Sequence, residues 1–236
     1  MFKKILCCLL LSSLTLCAQA PLQLLFRHLT QQQGLSSSYC SLLFKDSRHF
    51  WWLGTQSGGL VRFDGQTCKT YASFTGSSIV NILEDKDGNL WVGSNKGLNF
   101  YDRRTDQFKL INIPGLKTDC WLKPIYFDNQ GRLWLFIACQ WGLHILDTKT
   151  LSCQLVDNQL SEQCKIFPTK PYQKPRFLLT NASEGFVKAD LQGDKIIKSQ
   201  TFFDRKNTSN LPVAEIVDRY FAESDSLIWL GTTLGI

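Results

Sequence analysis

The feature that most restricts this chain is a repeat. Gly59 and Asp64, Gly97 and Asp102, Gly142 and Asp147, and Gly185 and Asp190 all lie five residues apart. The successive glycines are 38, 45 and 43 residues apart, with Gly235 following after 50. A second spacing runs in step with the first. Asp46, Asp85 and Asp128 each precede a tryptophan (Trp52, Trp91, Trp134) by six positions, and Glu223 stands in the same relation to Trp229. Aromatic and β-branched residues fall in short runs bounded by Gly, Asp, Asn and Ser, which is strand punctuation, and no helical period is sustained outside the N-terminus. A repeat of this length made of strands and turns predicts radial repetition of small sheets, the blades of a β-propeller. With 236 residues, 44% of them hydrophobic, the chain can bury a core.

Within the second repeat the pattern predicts an inner strand over Ile79 to Glu84, then strands over Leu90 to Ser94, Leu98 to Tyr101 and Gln107 to Ile111. The stretch EDKDGNLWVGS, from Glu84 to Ser94, has acidic residues at alternate positions like a calcium loop. An EF-hand loop beginning at Asp85 would put Leu90 where Gly is required and Lys96 where the bidentate Glu is required. The stretch therefore reads as a hairpin turn, with Gly88 supplying the left-handed residue. His49 occupies the place of Gly88 and Gly131 and reads as an ordinary turn residue. The repeated tryptophans read as packing between blades, and the aspartates ending each third strand as turn caps.

Residues 1–20 have Lys3 and Lys4, an apolar run from Ile5 to Leu16 and Ala18-Gln19-Ala20, the layout of a secretory signal peptide. Lipidation at Cys17 is disfavoured by the bulky Leu16 before it, and no later stretch is apolar enough to span a membrane. The net charge of +6 is scattered, so no nucleic-acid footprint is visible and nucleic acid is not expected as a partner. No catalytic motif, metal-ligand constellation or cofactor fingerprint is present, so catalytic residues, metal and cofactor are each read as none. Asn181-Ala182-Ser183 and Asn207-Thr208-Ser209 match the glycosylation acceptor pattern, a motif short enough to arise by chance.

FRHLTQQQGLSSSYCSLLFKD, WWLGTQSGGLVRFDG and SSIVNILEDKDGNLWVGSNKGLNFYD resemble the two-component regulator propeller repeat, over about residues 24 to 236. Phe136 and Ile137 in place of Gly-Thr, the fourth repeat's lost Trp and its PTKPYQKP segment depart from that pattern. The resemblance implies the periplasmic sensor region of a Bacteroidetes-type hybrid two-component histidine kinase. Its expected ligand is an oligosaccharide, a glycan or its breakdown product, and the full-length protein is expected to be an inner-membrane homodimer. It also implies an all-β, incomplete propeller over 21–236, here read as an N-terminal fragment. Blades are placed at about 36–72, 77–113, 118–157, 164–200 and 212–236, with a closing strand at 22–30. The remaining blades, the kinase core and the other downstream domains would lie beyond Ile236. The rival readings are a secreted propeller interaction module without a kinase and a propeller lyase or hydrolase.

Two site expectations remain. Trp141, where other repeats have polar loop residues, is a candidate aromatic ligand platform, with packing as its alternative. Of nine cysteines, six lie beyond the signal segment. If the turn at Asp128 to Gly131 sets Phe127 opposite Arg132, partners keep a constant index sum, and Cys120 and Cys139 share that sum. A disulfide between these two is therefore expected in an exported protein.

Overall fold

The computed structural model describes residues 28–117 and 119–157, and beyond them residues 165–168, 176–181, 185–203, 217–222 and 228–232. Four antiparallel four-stranded sheets follow one another along the chain. The first holds β1 (Cys40–Lys45), β2 (Trp51–Thr55), β3 (Leu60–Phe63) and β4 (Cys68–Thr70). The second holds β5 (Ile79–Glu84), β6 (Leu90–Ser94), β7 (Gly97–Asp102) and β8 (Gln107–Leu110). The third holds β9 (Leu122–Phe127), β10 (Leu133–Ile137), β11 (Gly142–Leu146) and β12 (Cys153–Asp157). The fourth holds β13 (Lys165–Pro168), β14 (Arg176–Asn181), β15 (Gly185–Gln192) and β16 (Lys195–Phe203). A pair, β17 (Val217–Ala222) with β18 (Ile228–Thr232), comes last. Each sheet is a meander in sequence order, as in an incomplete propeller. The closing strand expected at 22–30 lies mostly outside the described residues, and its last three, 28–30, carry no strand.

In the first three blades the turn between the first two strands explains the spacing of Asp to Trp. Asp85 Oδ1 accepts the backbone N–H groups of Asp87 (3.0 Å) and Asn89 (2.8 Å), while Gly88 takes a φ of 78°. The other carboxylate oxygen accepts the Trp91 indole N–H at 3.0 Å. Asp46 with Trp52 (3.0 Å) and Asp128 with Trp134 (3.1 Å) repeat the bond. One carboxylate thus caps the turn and fixes the ring that packs against the next blade. His49 takes the glycine's place with a φ of 68°. At the other hairpin, Asp64, Asp102 and Asp147 each accept two backbone N–H groups of the turn that follows.

The cores lie between blades. Trp52 packs with Ile82, Leu90 and Val92, and Trp91 with Leu122, Leu133 and Leu135. Two residues after each of these tryptophans stands a glycine that lets the next blade come close. A Cβ on Gly93 would lie 2.1 Å from the Leu122 carbonyl oxygen, and one on Gly54 would lie 2.9 Å from Ile79 Cβ. The third blade has Phe136 at this place.

Ion pairs tie the blades at the end where the first and second strands turn. Arg103 donates to Asp46 (3.1 Å) in the first blade and to Glu84 (3.0 Å) in its own, and Glu84 accepts from Ser47. Arg132 of the third blade donates to Asp194 of the fourth through both terminal nitrogens, at 2.7 and 3.1 Å. A third joint links the outer part of the first two blades. Asp106 accepts from Tyr71 (2.7 Å), Tyr101, Lys69 and Arg62 (3.0 Å). Among the described residues no helix is long and apolar enough to cross a membrane.

Candidate functional site

The expected register of the third blade needs correction. Phe127 pairs with Leu133 rather than Arg132, because the turn runs one residue further, to a bond from Asp128 N–H to the Arg132 carbonyl. A bulge beside Pro124 then shifts the pairing back, so that Leu135 faces Pro124 and Ile137 faces Leu122. The two offsets cancel. Cys120 and Cys139 stand opposite each other with Cα atoms 5.7 Å apart, joined as a disulfide. Ala138 N–H donates to the Trp121 carbonyl between them.

This bridge joins the two loops on one end of the third blade, the connection that enters it and its hairpin between second and third strands. The connection from outer to next inner strand covers 71–78 before the second blade and 111–121 before the third. The hairpin between second and third strands covers 56–59, 95–96 and 138–141 in blades one to three. Both loops open on the end opposite the aspartate turns, by antiparallel topology.

Trp121 and Trp141 stand on these loops. The backbone of each bonds to Ala138, Trp121 through its carbonyl and Trp141 through its N–H at 3.3 Å. Trp121 is 51% exposed. Cys120 and Leu122 on either side of it are buried in the core towards the second blade. Trp141 is half-buried and meets the edge of Phe136 with ring centroids 5.8 Å apart. Its φ of 43° is unusual for a bulky side chain. Gln140 beside it donates to the Gly115 carbonyl at 3.2 Å, tying the same two loops once more.

The structure thus brings the three sequence-selected residues, Trp141, Cys120 and Cys139, into one corner. Trp141 is both packed and partly open. Sequence reasoning missed Trp121, although the signal was present. It precedes the inner strand where the first blade has Tyr39, itself 63% exposed, and the second has Ser78. Among the described residues no titratable cluster suited to acid–base chemistry lies at this corner, and no group of His, Cys, Asp or Glu is arranged to hold a metal. Among the described residues the strongest electrostatic perturbation is at the Asp106 joint. There burial opposes ionisation, but hydrogen bonds from Lys69, Tyr101 and Tyr71 hold the carboxyl well below the usual range. Burial likewise pushes the Tyr71 phenol far up. These groups are spent on one another and form a structural joint.

Residues 73–96 match a family model described as the two component regulator propeller. No curated protein sequence matches the chain. Among solved structures, the fold is similar to the extracellular domain of BT3049 of B. thetaiotaomicron, described as a hybrid two component system. The TM-score is 0.64 and the identity 21%, over 87% of this chain and 29% of that one. It is also similar to the extracellular domain of BT4673 of the same bacterium, described in one structure as a hybrid two component system and in another as a one component system. The TM-scores are 0.59 and 0.58, each at 22% identity over 80% of this chain and 28% of the other. The chain therefore spans less than a third of the domains it resembles.

Proposed function

We propose that this chain, which is built on the two-component regulator propeller repeat, is the extracytoplasmic sensing region of a hybrid two-component sensor. The observation that carries this reading is the family match at 73–96, set in a blade whose neighbours repeat the same Asp, Trp and Gly positions. Support comes from the similar fold of extracellular domains described as parts of such systems. In this reading residues 1–20 export the chain and the propeller lies in the periplasm. Further blades, a membrane span and a histidine kinase core belong to the same polypeptide, which acts as a homodimer. The ligand is a glycan or its breakdown product.

Autophosphorylation of the intact protein in nanodiscs tests this. With labelled ATP, label is expected on the protein, and its rate is expected to change with one class of saccharide and not with others. No ATP-dependent label would sink the sensor-kinase reading. Label indifferent to every saccharide would sink the glycan.

A further inference from the structure

We propose that the Cys120–Cys139 bond is an exchangeable tie. A thiol opens it at Cys139, and its opening loosens the loop pair on that end of the third blade without unfolding the blade. This goes beyond the sensing role above and does not rest on it. Comparison with the second blade carries the inference. There Ser78 and Asn95 hold the matching loops together by two hydrogen bonds. Asn95 N–H donates to the Ser78 carbonyl (3.2 Å), and Ser78 N–H donates to the Asn95 side-chain oxygen (2.9 Å). In the third blade Trp121 and Ala138 take these places, as far along the chain from them as Trp134 is from Trp91. The backbone bond persists, from Ala138 N–H to the Trp121 carbonyl at 3.0 Å. Alanine has no side-chain oxygen to accept the second. Beside it stands the disulfide, with Cα atoms 5.7 Å apart. One of the two ties at this place is thus a bond that thiols break.

The bridge is open to attack from one side. Cys139 is exposed on the hairpin, whereas Cys120 is 3% exposed and packs in the core with Leu122, Leu135 and Ile137. Exchange begins when a thiolate attacks one sulfur of a disulfide and expels the other, and access decides which sulfur is attacked. Attack is therefore directed to Cys139. A new S–S bond forms between the incoming sulfur and Cys139, the Cys120–Cys139 bond breaks, and its electron pair leaves on Cys120, which takes up a proton. A second thiol, or the second sulfur of a dithiol, then attacks the incoming sulfur. It frees Cys139 as a thiol, and the two reductant sulfurs depart joined as a disulfide. The Cys139 N–H donates to Cys120 Sγ at 3.1 Å and supports the charge that develops there. Burial opposes that charge, and proton uptake relieves it.

Opening is local because the rest of the blade does not depend on this bond. Ile137 pairs with Leu122, Gln140 donates to the Gly115 carbonyl at 3.2 Å, and Ile113 and Leu122 are buried in the core between the second and third blades. A reduced Cys120 remains a small apolar side chain in that core. What the bond constrains is the backbone on either side of it. Asp119 has a φ of 60° and Trp141 a φ of 43°, left-handed conformations that persist where the surroundings impose them. With the tie open both relax, so residues 119–121 and 138–141 gain freedom while the strands keep their register. The thiol–disulfide poise of the surroundings thereby sets the order of one end of this blade.

The test uses the intact protein and two reductants. Reduced glutathione is added to the unreduced wild type, portions are quenched in acid at short times, and mass spectrometry locates the bound glutathione. It is expected on Cys139, about tenfold more than on Cys120. Equal labelling, earlier labelling of Cys120, or no exchange at either would overturn the directed opening. Amide hydrogen exchange is then compared before and after reduction by dithiothreitol. Residues 119–121 and 138–141 are expected to exchange about tenfold faster in the reduced protein, while β9 to β12 and the Ser78–Asn95 tie keep their protection. Unchanged rates at those residues would overturn the loosening, and lost protection throughout the blade would make the bond a staple of the fold instead. Ala138→Asn supplies the acceptor that Asn95 provides in the second blade. It should slow exchange at Trp121 in the reduced protein and change little in the unreduced one. A reduced variant that exchanges like reduced wild type would overturn the equivalence of the two ties.

Discussion

Three aspartates with the same spacing to tryptophan do not carry equal weight. Asp46 has no exposed side-chain surface and accepts from two backbone N–H groups, the Trp52 indole and the Arg103 guanidinium. Asp85 makes the turn and indole bonds without a cross-blade cation. Removing Asp46 takes away two turn bonds, the indole bond and one of the two carboxylates that hold Arg103, so Asp46→Ala is expected to cost about 3–5 kcal/mol. Asp85→Ala should cost about 1–3 kcal/mol. Chemical denaturation of the two variants checks the order. Asp106 sets an acid limit. Its carboxyl titrates below its unfolded value of about 4, because the hydrogen bonds from Lys69, Tyr101 and Tyr71 outweigh burial. A carboxylate with a depressed folded pKa contributes stability that is complete above the unfolded value and is lost as pH falls towards the folded one. Asp64, held at about 2 by its turn N–H groups, acts in the same direction. The melting temperature should therefore drop as pH falls below about 4, and Asp106→Asn should lower it at neutral pH while making the acid drop shallower. Equal slopes in wild type and variant would exclude the joint as a source of acid sensitivity.

Among the strands, the contact most sensitive to a single atom is that of β6 with β9. A methyl group at Gly93 has no room, because what it meets is the backbone carbonyl of Leu122 and the ring of Pro124 at 2.3 Å. Gly93→Ala must push the third blade away, at a cost of about 3 kcal/mol, and denaturation should show it. The third-blade hairpin makes a separate chemical prediction. In the folded, unreduced protein, alkylation of thiols should spare Cys120 and Cys139 and modify exposed Cys40. It should be slow at Cys153, whose thiol is pushed up to about 11 by burial, since the thiolate is the reacting form. Rapid modification of both Cys120 and Cys139 would show the pair to be reduced.

At the scale of the molecule, the first blade has one well-covered face and one open one. Leu43 is 59% exposed, whereas Ile82, its counterpart in the second blade, is 2% exposed. Trp51 and Leu53 are half-buried where Leu90 and Val92 are fully buried. An apolar sheet face of this kind invites association. The chain produced by itself should form concentration-dependent oligomers, and Leu43→Lys should reduce them without altering the circular dichroism spectrum. Light scattering over a concentration series measures this, and identical scattering from the two proteins would count against the open face as the cause.

The sequence by itself determined the blades, because their signals are local. A hairpin turn, its capping carboxylate and the tryptophan six residues on all lie within a dozen residues, and recurrence gave them weight. It also placed Cys120 beside Cys139, but only because two register errors cancelled. A bulge costs little and leaves no fixed mark, so pattern alone does not locate it. What the tertiary structure decided is what lies between blades. That Asp46 meets Arg103 and that Gly93 admits Leu122 depend on how adjoining sheets stack. Trp121 was passed over for the same reason. Its exposure follows from which sheet face it leaves and what stands opposite, and both are set by packing rather than by the order of residues along the strand.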